Sequence, residues 1–146
     1  MLAPKLFQGA RVAVLGPSSS VTEDNLAAGV EALRALGFEP VVYESAHSMH
    51  GYFAGTDAVR AADINAAFAD KSIDGIIATR GGYGGNRVLP LLDFDVIAKN
   101  PKFFAGYSDI TAYHIAFNQR CGFVTYHMPM VTALPGACEY SLAGIK

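Results

Sequence analysis

Short apolar runs and helix-period patterns alternate along this chain from Arg11 to His127, and that alternation admits few folds. Arg11-Val12-Ala13-Val14-Leu15 is a β-rich run stopped by Gly16-Pro17, which reads as a buried strand. Ser20-Val21-Thr22-Glu23 has the form of a capping box. Leu26, Val30, Leu33 and Leu36 then recur at helical spacing up to Gly37, a natural C-terminal stop. Pro40 to Tyr43 reads as a second strand and 44–57 as a polar, glycine-bearing loop. Ala58 to Ala69 reads as an alanine-rich helix with Ile64 and Phe68 on one face. Ile73 to Thr79 is the third expected strand. Asp93 to Lys99 is a short helix ended by Asn100-Pro101. Lys102 to Tyr107, Asp109 to Arg120 and Phe123 to His127 complete the pattern as strand, helix and strand. The alternation predicts an α/β fold: a doubly wound, mostly parallel five-stranded sheet with helices on both faces. Ligands of such sheets gather outside the carboxyl ends of the strands. The Gly16-Pro17-Ser18 turn, the loop after Thr79, Ser108 and His127 all fall at that edge.

Composition sets limits on the kind of protein. The 146 residues suit one domain with a real core, and 51% hydrophobic against 16% charged residues describes a globular chain. A net charge of −2 without a basic cluster argues against nucleic acid as a partner. Met1 to Ala10 lacks the long apolar core of a signal peptide, and no run approaches the roughly 20 apolar residues of a membrane helix. Cys121 and Cys138 are too few for a disulfide scaffold and read as reduced thiols in a cytoplasmic protein. The positive mean hydropathy points to a face meant to be covered.

Gly106-Tyr107-Ser108-Asp109-Ile110-Thr111 joins the fourth expected strand to a helix. A serine in such a turn stands exposed at the first turn of a helix, which is the mechanical logic of a nucleophile elbow. The N–H groups there lie where an oxyanion would form. Position 110 is Ile where the lipase-type elbow has Gly, and the same pattern also fits a Ser108 that simply caps the helix. The Asp109 backbone N–H could serve an oxyanion, and its carboxylate reads as a helix-start charge. In Arg80-Gly81-Gly82-Tyr83-Gly84-Gly85-Asn86-Arg87, four glycines in five residues permit close backbone approach to an anion or, equally, a flexible turn. It is neither a P-loop nor a dinucleotide fingerprint. His114 lies six residues past Ser108, about 240° around a helix, so it points away and reads as structural. His127 could face the site or make an ordinary hydrogen bond. The histidines form no metal-binding pattern. A serine nucleophile needs a base and a group to orient it, and nothing in the chain clearly supplies both.

An ordered set of segments resembles a known family. It comprises Pro17-Ser18-Ser19, Gly55-Thr56-Asp57 with Arg60, Arg80-Gly81-Gly82-Tyr83-Gly84, Arg87-Val88-Leu89-Pro90-Leu91-Leu92-Asp93, Pro101-Lys102, Gly106 to Thr111, and Thr125-Tyr126-His127-Met128-Pro129-Met130. From about Leu2 to Met130 the chain resembles the N-terminal domain of the L,D-carboxypeptidases, the muramoyltetrapeptide carboxypeptidase family of serine peptidases (peptidase family S66), which includes microcin C-cleaving members. The resemblance implies a flavodoxin-like N-terminal domain spanning 1–146. It places the nucleophile on Ser108 and the oxyanion hole on the N–H groups of Gly82 and Asp109. Arg80, Gly81, Tyr83 and His127 fall where substrate would bind. It further implies metal-free and cofactor-free removal of the terminal D-alanine from murein tetrapeptides, in cytoplasmic cell-wall recycling. The acid Glu and base His of the family come from a C-terminal domain that has no positions in this sequence, so this domain alone is expected to be inactive. That missing partner domain would cover the apolar face, and a homodimer is also expected. Met128 stands where the family has glycine, which narrows the space beside His127. Two other readings remain open from the residues: a non-catalytic α/β module gripping a small anion, and a dimerisation domain.

Overall fold

The computed structural model describes residues 1–145. Five strands form one sheet in the order β2-β1-β3-β4-β5. They are β1 (Arg11–Leu15), β2 (Glu39–Val42), β3 (Gly75–Ala78), β4 (Phe103–Gly106) and β5 (Tyr126–His127). Every neighbouring pair is parallel. The chain runs from β1 to β2 on one side and then returns across β1 to β3 on the other. The switch point therefore lies between β1 and β3, where doubly wound sheets open a crevice.

Alternation along each strand builds two cores. Val12, Val14, Ile77 and Ala105 face one side, against Leu26, Val30 and Leu33 of α1 (Glu23–Ala35). Ala13, Leu15, Ile76 and Phe104 face the other. There they meet α3 (Asp57–Ala69), α5 (Phe94–Lys99) and α6 (Thr111–Ala116) through Ile64, Phe68, Ile97 and Tyr113. Both faces of the sheet are covered, as a parallel sheet requires. Phe68, Phe104, Phe117 and Phe123 pack as one aromatic cluster, with Phe104 and Phe117 edge to face at 4.9 Å between ring centroids.

Several local expectations are corrected. The cap of α1 is Thr22, whose hydroxyl accepts from the Asn25 N–H at 3.3 Å, rather than Ser20. The 44–57 loop contains a one-turn helix, α2 (Glu44–His47). Tertiary contacts hold it there: Ser45 is fully buried, its N–H donates to Asp63 at 2.6 Å, and its hydroxyl accepts from the Gly16 N–H at 2.9 Å. β3 is shorter than 73–79, and β5 is shorter than 123–127, with Phe123 packed in the aromatic cluster instead of the sheet ladder. The glycine loop ends in a short helix, α4 (Gly85–Val88), followed by a 3-10 turn at Leu89–Leu91. The helix expected over 109–120 is composite: a 3-10 turn at Ser108–Ile110, then α6, then a π turn at Phe117–Cys121. Beyond β5, a 3-10 segment at Val131–Gly136 packs on α1 and is followed by α7 (Glu139–Ala143).

Candidate active site

Ser108 is the one non-glycine among the described residues with a positive φ, at 62°. A left-handed conformation of this kind costs a residue with a Cβ about 1–2 kcal/mol. The surroundings are shaped to hold it. A Cβ on Gly106 would stand 2.8 Å from Ile110 Cγ2, so that glycine makes room for the buried Ile110 side chain. Ile110 is thus compatible with an elbow here although the lipase pattern has glycine at its position. A Cβ on Gly81 would lie 3.1 Å from Ser108 Cβ and 3.4 Å from the Asp109 nitrogen, so the glycine loop passes directly beside the serine. Ser108 is exposed, and neither the 3-10 turn nor α6 is capped by a side chain. The helix-capping role open to Ser108 from the sequence is therefore not the one it plays.

The glycine loop is stitched to the turn after β1. The Ser19 N–H donates to the Gly81 carbonyl at 3.2 Å, and the Ser19 hydroxyl donates to the same oxygen. Gly82 has φ 116°, and a Cβ there would meet Ser19 Oγ and Tyr52 Oη, each at 2.5 Å. Among the described residues, no backbone hydrogen bond uses the N–H of Gly82 or of Asp109. Both are thus free donors near Ser108. Tyr83 is exposed, with its ring 6.2 Å from that of Phe53, and Arg80 reaches the Ser20 carbonyl only at 3.4 Å.

The Asp109 carboxylate does more than begin a helix. Its Oδ2 accepts from the Ser18 hydroxyl at 2.6 Å and from the Gly85 N–H at 2.8 Å. Behind these loops lies Arg60, wholly buried on α3. Its Nη1 donates to the carbonyls of Gly84 at 3.1 Å and Pro17 at 3.4 Å, its Nη2 pairs with Asp57, and its guanidinium lies 4.8 Å from the Phe53 ring centroid. Asp57 is bridged in turn by Arg87, whose hydrogen bonds hold the carboxyl below its ordinary range. The Tyr113 hydroxyl donates to Pro17 at 2.7 Å, and burial pushes its pKa up. Arg60 and Ser18 carry no role in the sequence reading beyond motif membership and, for Ser18, a place at the sheet edge, and Tyr52 falls there only within the 44–57 loop. The available signal was an arginine at the same helical stripe as Ile64 and Phe68.

The histidines divide. His114 is engaged at both nitrogens, with Nδ1 at 2.7 Å from Thr125 Oγ1 and Nε2 at 2.9 Å from the Gly106 carbonyl. The neutral ring donates from Nε2 to Gly106 and accepts the Thr125 hydroxyl at Nδ1. Burial lowers its pKa, consistent with that neutral form. It braces β4 just before the elbow, in agreement with the structural role expected of it. His127 is exposed on β5, its ring 5.8 Å from that of Tyr107. With Tyr107, Met128 and Ala137 it lines an open groove of about 470 Å³ beside the elbow. No hydrogen bond joins His127 to Ser108 among the described residues. Among those same residues, no group of three or more His, Cys, Asp or Glu could share a metal ion, and no helix is long and apolar enough to cross a membrane.

A parallel doubly wound sheet thus carries a left-handed, exposed serine beside a glycine-rich loop at the carboxyl edge of its strands. Residues 12–128 match the family model of the LD-carboxypeptidase N-terminal domain, Peptidase S66, and the chain belongs to that family. A Streptomyces coelicolor protein assigned as a carboxypeptidase is 47% identical over 134 residues, covering 89% of this chain and 43% of that protein. The murein tetrapeptide carboxypeptidase of Pseudomonas aeruginosa is 34% identical over 125 residues, covering 85% of this chain and 40% of the enzyme. The crystal structure of an MccF-like protein from Bacillus anthracis superposes with a TM-score of 0.92 at 36% identity, covering 98% of this chain and 45% of that one. The chain thus spans under half the length of the relatives it matches.

Proposed function

We propose that this chain is the nucleophile-bearing N-terminal domain of a serine L,D-carboxypeptidase that removes the terminal D-alanine from murein tetrapeptides in cytoplasmic cell-wall recycling. The observation that carries this reading is Ser108 itself: exposed, uncapped, held at φ 62°, and flanked by the glycine loop. Strain of this kind persists where the surroundings over-determine it, and such places are commonly sites of chemistry.

In this reading the Ser108 hydroxyl loses its proton to a general base and Oγ bonds to the carbonyl carbon of the scissile amide. The carbonyl oxygen becomes an oxyanion, received by the N–H groups of Gly82 and Asp109. The C–N bond then breaks, the amine of D-alanine leaves with the proton from the base, and water hydrolyses the acyl-serine. Arg80, Gly81, Tyr83 and His127 line the approach of the peptide. His114 is committed to Gly106 and Thr125 and is no base for Ser108. The base and acid would come from a second domain of a longer enzyme, seated on the groove side. The fragment alone would hydrolyse little, because an unassisted serine is a weak nucleophile at neutral pH. The whole enzyme would be a metal-free homodimer.

D-alanine release from an L,D-tetrapeptide, compared between a full-length enzyme and residues 1–146, tests this. Turnover by the longer protein alone is expected, with Ser108→Ala lowering it by at least about a thousandfold. Activity of the isolated domain, abolished by Ser108→Ala, would refute the split site. The likeness to the microcin C7 self-immunity protein MccF of Escherichia coli supports a second reading, a microcin-C-type peptide conjugate as substrate. Cleavage of that conjugate without D-alanine release would select it.

A further inference from the structure

We propose that the Asp109 carboxylate is a positioning residue, which sets the spacing of the oxyanion site by clamping three loops to one oxygen atom. This rests on the reading of Ser108 as nucleophile and of the Gly82 and Asp109 N–H groups as oxyanion donors. Those two donors sit on different loops, one after β3 and one after β4, so neither loop alone fixes the gap between them. Asp109 Oδ2 closes it. The atom accepts from Ser18 in the loop after β1 at 2.6 Å and from Gly85 at 2.8 Å, while its own backbone follows Ser108 directly.

The loop contacts bracket Gly82 on both sides. A Cβ on Gly81 would be 3.1 Å from Ser108 Cβ, and a Cβ on Gly85 would be 3.1 Å from Asp109 Oδ2. Ser18 is fully buried, so its hydroxyl has no water to turn to if the carboxylate is removed. A carboxylate that merely complements a helix dipole acts from solvent and needs no such partners. Here the charge makes both hydrogen bonds charge-assisted and strong. Because the donors match a developing oxyanion rather than the ground-state carbonyl, misplacing them costs turnover more than binding.

The test measures D-alanine release from a murein tetrapeptide by the full-length enzyme. Asp109→Ala is expected to lower kcat about 10- to 100-fold, with KM changed less than about twofold. Asp109→Asn keeps an acceptor oxygen in place and is expected to restore kcat to within about fivefold of the parent. Ser18→Ala removes one of the two donors and is expected to lower kcat by about three- to tenfold. Thermal unfolding is followed for each, and if Asp109→Ala does not fold, Ser18→Ala and Asp109→Asn decide the matter. A folded Asp109→Ala enzyme with parental kcat would overturn the clamp. So would a raised KM at unchanged kcat, which would put the carboxylate on the substrate. Ser108→Ala separates the two levels. If it turns over like the parent, the nucleophile reading fails. If it is inactive while Asp109→Ala and Ser18→Ala are unimpaired, only the clamp fails.

Discussion

At the amino ends of the strands polar groups are matched with partners, whereas at the carboxyl ends several are left over. Lys102, nearly buried ahead of β4, donates to the carbonyls of Asp70 and Ile73 at 2.6 Å each. The Arg11 N–H donates to Asp74 at 2.8 Å, and the Arg11 side chain pairs with Glu39 at 3.2 Å. Among the described residues, positive φ at that edge is confined to glycines, Gly9, Gly37 and Gly122. The carboxyl edge instead holds a serine at φ 62°, a buried Arg60 with its Nε unpartnered and a buried Thr79 hydroxyl without a partner among the described residues. The same five strands thus end in a settled edge and a strained one. Stability is invested in the first, and the second keeps donors and a hydroxyl available at a cost in stability.

Three substitutions probe this contrast, in order of decreasing effect. Lys102→Ala would leave two carbonyls without their donor, and a loss of about 2 kcal/mol is expected in chemical denaturation of the isolated domain. Turnover of the full-length enzyme should hold, so a large drop in kcat would erase the distinction between the edges. Ser108→Gly should move in the opposite direction on both readouts. Relief of the left-handed strain would raise stability by up to about 1 kcal/mol while activity disappears. A destabilised Ser108→Gly would mean that the serine hydroxyl is a structural partner after all.

The smallest effect concerns His114. Its folded-state pKa is held below the ordinary 6.5, with burial the main cause. Above pH 6.5 the ring is neutral in both folded and unfolded chains, and it adds no pH dependence. As pH falls below that value the unfolded chain takes up the proton first, so folding stability declines until the folded-state pKa is passed. His114→Gln should flatten that part of the stability profile. A profile unchanged by the substitution would show that burial does not hold the ring neutral.

Much of the architecture was legible in the residues. β1 falls at Arg11–Leu15 as read, because a short β-branched run closed by Gly-Pro has few alternatives. α1 keeps its stripe of Leu26, Val30 and Leu33, and only its cap moved, from Ser20 to Thr22. The short helix α2 was not legible, because four residues carry no periodicity and its stability comes from Ser45 bonding to Gly16 and Asp63. The composite helix after Ser108 and the truncated β5 share a cause. Phe117 and Phe123 are drawn into the cluster around Phe68 and Phe104, and packing overrides local propensity there.

The site divides in the same way. Sequence by itself determined the strand-and-helix alternation, hence the parallel sheet and the edge at which Ser108 and the glycine loop would lie. It also determined the family, through an ordered set of motifs. Only the tertiary structure decided that Ser108 is left-handed and uncapped, that the Asp109 carboxylate reaches Ser18 and Gly85, and that Arg60 ties Pro17 to Gly84 from within the core. The reason is one of range. Periodicity, caps and turns are written within a few neighbouring residues, whereas these contacts join residues 24 to 91 positions apart. Such contacts are set only once the sheet has brought the ends of β1, β3 and β4 together.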